Sequence, residues 1–156
     1  MLCRRFLRVL IFILLHVSLA SARDLALVSN KSNAIGELTV PELVKLCKAQ
    51  TQHWPDGKPV TFIMRSPDLP EMQMVLGKVY GMSGKELDSL IVTSRRERPA
   101  HPALLVAASD DELVDKVAST PGAIGVVDVY SINGSVAVLK IAGKLPLQPG
   151  YFLHGN

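Results

Sequence analysis

Apolar and polar positions along this chain follow two periods, and the sharpest switch between them runs from Ser109 to Val129. Leu113, Val114, Val117 and Ala118 fall on one helical face. Ser109 stands where an N-cap belongs, with Glu112 three residues on to close a capping box. Asp110 and Asp111 add negative charge to the first turn, where the helix dipole favours it. Pro121-Gly122 ends the helix. Ala123-Ile124-Gly125-Val126-Val127 then reads as a strand covered on both faces. A helix turning at once into a buried strand points to an α/β fold.

The same grammar repeats upstream. Asp24 to Ser29 reads as a short strand. Thr39 and Glu42 form a second capping box, with Pro41 tolerated in the first turn and Val40, Leu43, Val44 and Cys47 on the buried face. Trp54-Pro55-Asp56-Gly57 is a turn cluster. Val60 to Met64 is β-branched and aromatic, hence a strand. Asp68 with Glu71 and Ser83 with Glu86 read as two further boxes. Met72, Val75, Leu76 and Val79 follow the first, and Leu87, Leu90 and Ile91 the second. Thr93 to Pro102 reads as a polar, basic loop, and Leu104 to Val106 as a short strand. Asn133-Gly134 predicts a tight type I′ hairpin, with Val136 to Ile141 returning antiparallel. Lys144 to Asn156 reads as an ordered or semi-ordered tail. Alternating strands and helices with a terminal hairpin predict a mixed, mostly parallel sheet flanked by helices.

Residues 1–22 stand apart from this pattern. Arg4, Arg5 and Arg8 precede an apolar centre from Leu10 to Leu15, and Ala20-Ser21-Ala22 is an A-x-A site. This is read as a secretory signal peptide cut after Ala22, which places the product in the periplasm or outside the cell, with no membrane span once the signal is removed. The remaining 134 residues (23–156) are read as one domain. The whole chain has 17 Lys+Arg and 14 Asp+Glu. Three of the basic residues lie in the signal, so the rest is balanced, and the basic pI gives no reason to expect a nucleic-acid partner. Cys47 is the one cysteine after Ala22, which excludes an internal disulfide there. Its place on an apolar helix face predicts a buried, inert thiol.

Catalytic and metal chemistry find no residue set. His16, His53, His101 and His154 share no metal-ligand spacing. No G-x-S-x-G elbow accompanies the serines, histidines and aspartates. Gly122-Ala123-Ile124-Gly125 precedes a strand rather than a helix, so it is no phosphate loop. Trp54 reads as a ligand platform or as a turn residue packed on the sheet edge, and Arg95, Arg96 and Arg98 as a solvated loop or a patch for an anion or partner.

Three segments in order resemble the phosphate-type substrate-binding proteins of bacterial ABC transporters, within the type II periplasmic binding protein family. They are Gly36-Glu37-Leu38-Thr39-Val40-Pro41-Glu42-Leu43 followed by His53-Trp54-Pro55-Asp56-Gly57, then Val60 to Ser66, then Ser119-Thr120-Pro121-Gly122-Ala123-Ile124-Gly125. A weaker echo joins Ile141-Ala142-Gly143-Lys144 to Tyr151-Phe152-Leu153. The resemblance implies a single periplasmic-binding-protein-like α/β lobe. It also implies a non-enzymatic solute-binding protein that needs no cofactor. Such proteins hold the anion between two lobes, and this chain has the length of about one.

The resemblance places the ligand contacts at Arg65 and Ser66. There the family's loop continues roughly as Asp-Gly-Ser-Gly-Thr and offers backbone N–H groups at a helix start. Here the continuation is Pro67-Asp68-Leu69-Pro70-Glu71. The glycines that allow close backbone approach are replaced, Pro70 removes a donor, and Asp68 and Glu71 repel an anion. Two readings of Arg65 stay open: weak contact with phosphate or another small oxyanion, shared with Ser66, or a local pair with Asp68 or Glu71 that closes the loop. Two functions stay open with them. One is a solute-binding protein with a reduced oxyanion half-site. The other is a structural envelope module that binds a protein partner and has lost its ligand.

Overall fold

The computed structural model describes residues 23–155. The expected signal peptide and its cleavage point lie outside them. The chain order is β1 (Leu25–Asn30), β2 (Glu37–Leu38), α1 (Val40–Cys47), β3 (Thr61–Arg65), α2 (Pro70–Val75), a π-helical turn (Leu76–Tyr80), α3 (Gly84–Glu97), β4 (Leu104–Ala107), α4 (Asp110–Ser119), β5 (Ala123–Asp128), a short 3-10 turn (Val129–Ser131), β6 (Val136–Val138) and β7 (Lys140–Ile141). The five-stranded sheet has the order β4-β3-β5-β1-β6, and β2 pairs with β7 beside it. β3 is parallel to both β4 and β5. β1 is antiparallel to both β5 and β6. Only β1 therefore runs against the other four strands, and the sheet is mixed and mostly parallel.

Side-chain alternation along the strands feeds two cores, one on each face. Leu25, Leu27, Phe62, Met64, Leu104, Ile124 and Val126 point to the face covered by α1, α2, the π turn and α3. Ala26, Val28, Ile63, Ala107, Val127 and Val136 point to the other, where α4 contributes Leu113, Val114 and Val117. β5 is buried on both sides, as its unbroken apolar run requires. Small residues dominate the α4 face, and they let the helix approach closely. At Gly125 an added Cβ would stand 2.8 Å from the Ile63 carbonyl oxygen, 3.0 Å from Leu113 Cδ2 and 3.2 Å from Val117 Cγ2.

The capping boxes at Thr39–Glu42 and Ser83–Glu86 form as read. At Ser109 the hydroxyl accepts from Glu112 N (3.1 Å), while the Glu112 carboxylate reaches back to Ala108 N (2.5 Å). The expected box at Asp68 does not form. Leu69 is the cap residue, with no side-chain bond, and Pro70 takes the first helical position. Proline presets the helical φ there, which moves the cap one residue on from Asp68. Thr93 to Glu97 also differs from its reading as loop, because α3 continues through it. Ser94 is buried and donates to the Ile91 carbonyl (3.0 Å), and Arg95 and Arg96 occupy the last turn. Cations are favoured at a helix C-terminus, so their charge supports the helix that composition argued against.

Asn133-Gly134 is not a hairpin. β6 passes beyond β5 to pair with the free edge of β1, with Val28 opposite Val138 and Asn30 opposite Val136. The apolar run from Val136 is split at Leu139, and β7 pairs with β2. The tail is ordered. The buried Asp24 carboxylate pairs with His154 Nδ1 and accepts from Leu147 N (2.5 Å). Lys78 Nζ donates to the His154 carbonyl (2.8 Å). Cys47 is fully buried, and burial pushes its thiol well above the ordinary value, as an inert core thiol requires.

The close fit at Gly125 can be measured. Gly125→Ala should lower stability by about 1–3 kcal/mol through overpacking, read as a fall in the urea midpoint. Gly36→Ala, where no atom lies within 4 Å of the added Cβ, should stay within about 0.5 kcal/mol of the parent.

Candidate functional site

β3 and β4 are neighbours whose carboxyl ends lead to opposite faces of the sheet. β3 feeds α2 and α3 on one face, and β4 feeds α4 on the other. In open α/β sheets this divergence opens a crevice at the strand ends, where ligands bind. Arg65, the last residue of β3, and Asp110, the first of α4, stand on its two sides.

The two side chains meet there. Arg65 Nη1 donates to Asp110 Oδ1 at 2.6 Å. Asp110 Oδ2 accepts from Ser131 Oγ at 3.0 Å. The Arg65 and Asp110 side chains are 18% and 25% exposed, so the pair is shielded but reachable from solvent. Arg65 Nε is buried and has no hydrogen-bond partner among the described residues. The guanidinium thus keeps unspent donors. Tyr130, next to Ser131, is 77% exposed.

Of the two readings of Arg65, a charge pair is present, but its partner is not Asp68 or Glu71. Asp68 lies within, and Glu71 beyond, the turn in which Leu69 N donates to the Ser66 carbonyl (3.1 Å), and Asp110, 45 residues away, takes their place. Ser66 is half-buried, and among the described residues its hydroxyl bonds neither Arg65 nor Asp110. The sequence alone marks Asp110 only as a first-turn acid and gives Ser131 no role, and only the crossing of α4 over β3 brings Asp110 to Arg65. Its position at the head of a helix was the one signal available.

The opposite end of the sheet has a different construction. Asn33 is buried. Its Nδ2 donates to Ser29 Oγ (2.9 Å) and to the Ala123 carbonyl (3.0 Å), and its Oδ1 accepts from Gly122 N (2.8 Å). Trp54 Nε1 donates to the Gly122 carbonyl at 2.9 Å. The sequence segments around Trp54 and Pro121-Gly122 are therefore one structural unit, joined at the start of β5, an interior strand of the sheet. Gly122 has φ +87°, and an added Cβ there would lie 2.1 Å from the Pro59 carbonyl oxygen, so only glycine fits. A cleft of about 630 Å³ opens beside Trp54, floored by Ile35, Leu38 and Leu46. Two of its three acids have local partners: Asp56 pairs with Lys58 (2.5 Å) and Glu42 caps α1 through Thr39, while Glu37 has none among the described residues. Among the described residues no group of three His, Cys, Asp or Glu could hold a metal ion, and no helix is long and apolar enough to cross a membrane.

No protein-family model matches the chain, and no curated protein does. Solved structures do. An ABC-type phosphate transport receptor from Vibrio cholerae superposes with a TM-score of 0.64 at 18% identity, over 80% of this chain and 48% of that one. PstS from Borrelia burgdorferi gives 0.64 at 18% identity, over 86% and 55%. A phosphate-binding protein from Stenotrophomonas maltophilia gives 0.62 at 13% identity, over 80% and 40%. The chain has the fold of the phosphate ABC transporter substrate-binding proteins. It spans about half the length of the structures it matches.

The Arg65–Asp110 contact should register as a coupling. In a double-mutant cycle with Arg65→Ala and Asp110→Ala, the interaction energy should be about 1–3 kcal/mol, from urea unfolding. A value near zero would mark the pair as a solvated surface contact.

Proposed function

We propose that this chain is an exported, non-enzymatic solute-binding protein of the phosphate-binding type, with a reduced oxyanion half-site at Arg65 and Ser66. The observation that carries the reading is the position of Arg65. It ends β3 where the paths from β3 and β4 diverge, its side chain is partly exposed, and one of its donors, the buried Nε–H, is used by no described residue. A guanidinium fork is suited to a phosphate or a similar small oxyanion. The fold shared with proteins named for phosphate binding and transport supports the same solute class. Export rests on the signal-like character of residues 1–22, with the periplasm or the cell exterior as the destination.

The loop after Ser66 sets the expected strength. α2 is six residues long, starts on a proline and has no side-chain cap. It therefore adds little to anion binding beyond Arg65 itself. Half a site, with one committed cation, corresponds to an affinity of about millimolar.

A second reading is a partner-binding envelope module without a ligand. Tyr130 favours it, because a largely exposed aromatic next in sequence to Ser131, which bonds Asp110, is the residue type that anchors protein interfaces.

Isothermal titration with phosphate and sulfate separates the two. The solute-binding reading expects saturable heat with a Kd of about 1 mM, abolished by Arg65→Ala with folding intact. Absence of heat at about ten times that concentration would leave the partner-binding module as the account, and binding that survives Arg65→Ala would overturn Arg65 as the site.

A further inference from the structure

The Asp110 carboxylate sits where a bound oxyanion would be expected, and we infer that it is an internal oxyanion that occupies the Arg65 site and competes with an external ligand. The inference rests on the reading of Arg65 as the oxyanion contact and names what regulates that contact. Its geometry is that of a ligand. One carboxylate oxygen takes a guanidinium N–H (2.6 Å) and the other a serine hydroxyl (3.0 Å). Both partners come from outside α4, from the end of β3 and from the turn after β5.

The helix does not need Asp110 for its own start. Ser109 Oγ accepts from Glu112 N (3.1 Å), and Glu112 accepts from Ala108 N (2.5 Å). Glu112 also pairs with Lys116 (3.1 Å). Asp111 and Glu112 already complement the dipole in the first turn. Asp110 is therefore free to act across the crevice.

The contact is also displaceable. Asp110 engages Arg65 through one nitrogen, whereas the guanidinium fork favours two parallel bonds to an oxyanion. The pair is a fifth to a quarter exposed, so water and solutes reach it. A site closed by its own side chain binds with an affinity reduced by the fraction of time it stands open. Removing the Asp110 charge both opens the site and ends the repulsion of an incoming anion.

The test is titration of the full chain with inorganic phosphate at low ionic strength, in the parent and in Asp110→Asn, Ser131→Ala and Asp110→Asn/Arg65→Ala. Asp110→Asn should bind about tenfold more tightly than the parent or better. Ser131→Ala, which loosens Asp110 without removing its charge, should shift affinity the same way by a smaller factor. The double variant should lose binding. Ser131→Ala leaves the helix cap intact and carries the test if Asp110→Asn fails to fold. If the parent binds through Arg65 and neither single variant binds more tightly, the internal-ligand inference falls and the solute-binding reading stands. If no form binds, or if binding in any form is independent of Arg65, both fall.

Discussion

One buried amide side chain organises the end of the sheet away from Arg65. Asn33 spends both its donors and its acceptor on Ser29, Ala123 and Gly122, and so fastens the end of β1 to the turn between α4 and β5. Trp54 fastens the same turn to the loop before β3. Asn30 adds a third tie, its Nδ2 donating to the Val117 and Ala118 carbonyls in the last turn of α4 (2.9 and 2.8 Å). Those carbonyls would otherwise lack an intrahelical partner. Buried polar groups left unmatched cost about 1–3 kcal/mol each. The network therefore admits one register of α4 on the sheet and penalises the neighbouring ones.

That register sets the chemistry at the far end. α4 has ten residues, a length of about 15 Å at the α-helical rise. With its C-terminus held by Asn30 and its middle drawn onto the sheet at Gly125, its first residue has little freedom. Asp110 consequently arrives opposite Arg65. The glycines and the tryptophan of the sequence segments that resemble phosphate-binding proteins act on the site only through this placement; none of them touches it. The Arg65–Asp110 contact is thus a consequence of packing at the other end of the sheet.

Much of this was legible in the chain itself. The α/β class, the strands at Leu25, Thr61 and Ala123, and the helix starts at Thr39, Ser83 and Ser109 follow from local periodicity and capping. These features are decided within a few residues. Errors arose where a distant segment decides. Asn133-Gly134 has hairpin chemistry, yet β1 offers a free edge to β6 while β3 and β1 already flank β5. Asp68 is a local exception: it has the spacing of a cap, yet Pro70 two residues on fixes the helix start. The partner of Arg65 could not be read either, since 45 residues and a crossover separate it from Asp110. Trp54 keeps both of its readings: its indole N–H holds the Gly122 carbonyl, and it also lines the cleft.

Native-state hydrogen exchange at the Gly122 amide tests the central claim most directly. If the Asn33 network holds the fold's register, that N–H exchanges only through global unfolding. Its opening free energy and denaturant dependence should then match those of the β1–β5 ladder amides. Exchange through a local opening of much lower free energy, while the ladder stays protected, would show that the α4–β5 turn moves independently of the sheet. It would then have no hold on the position of Asp110.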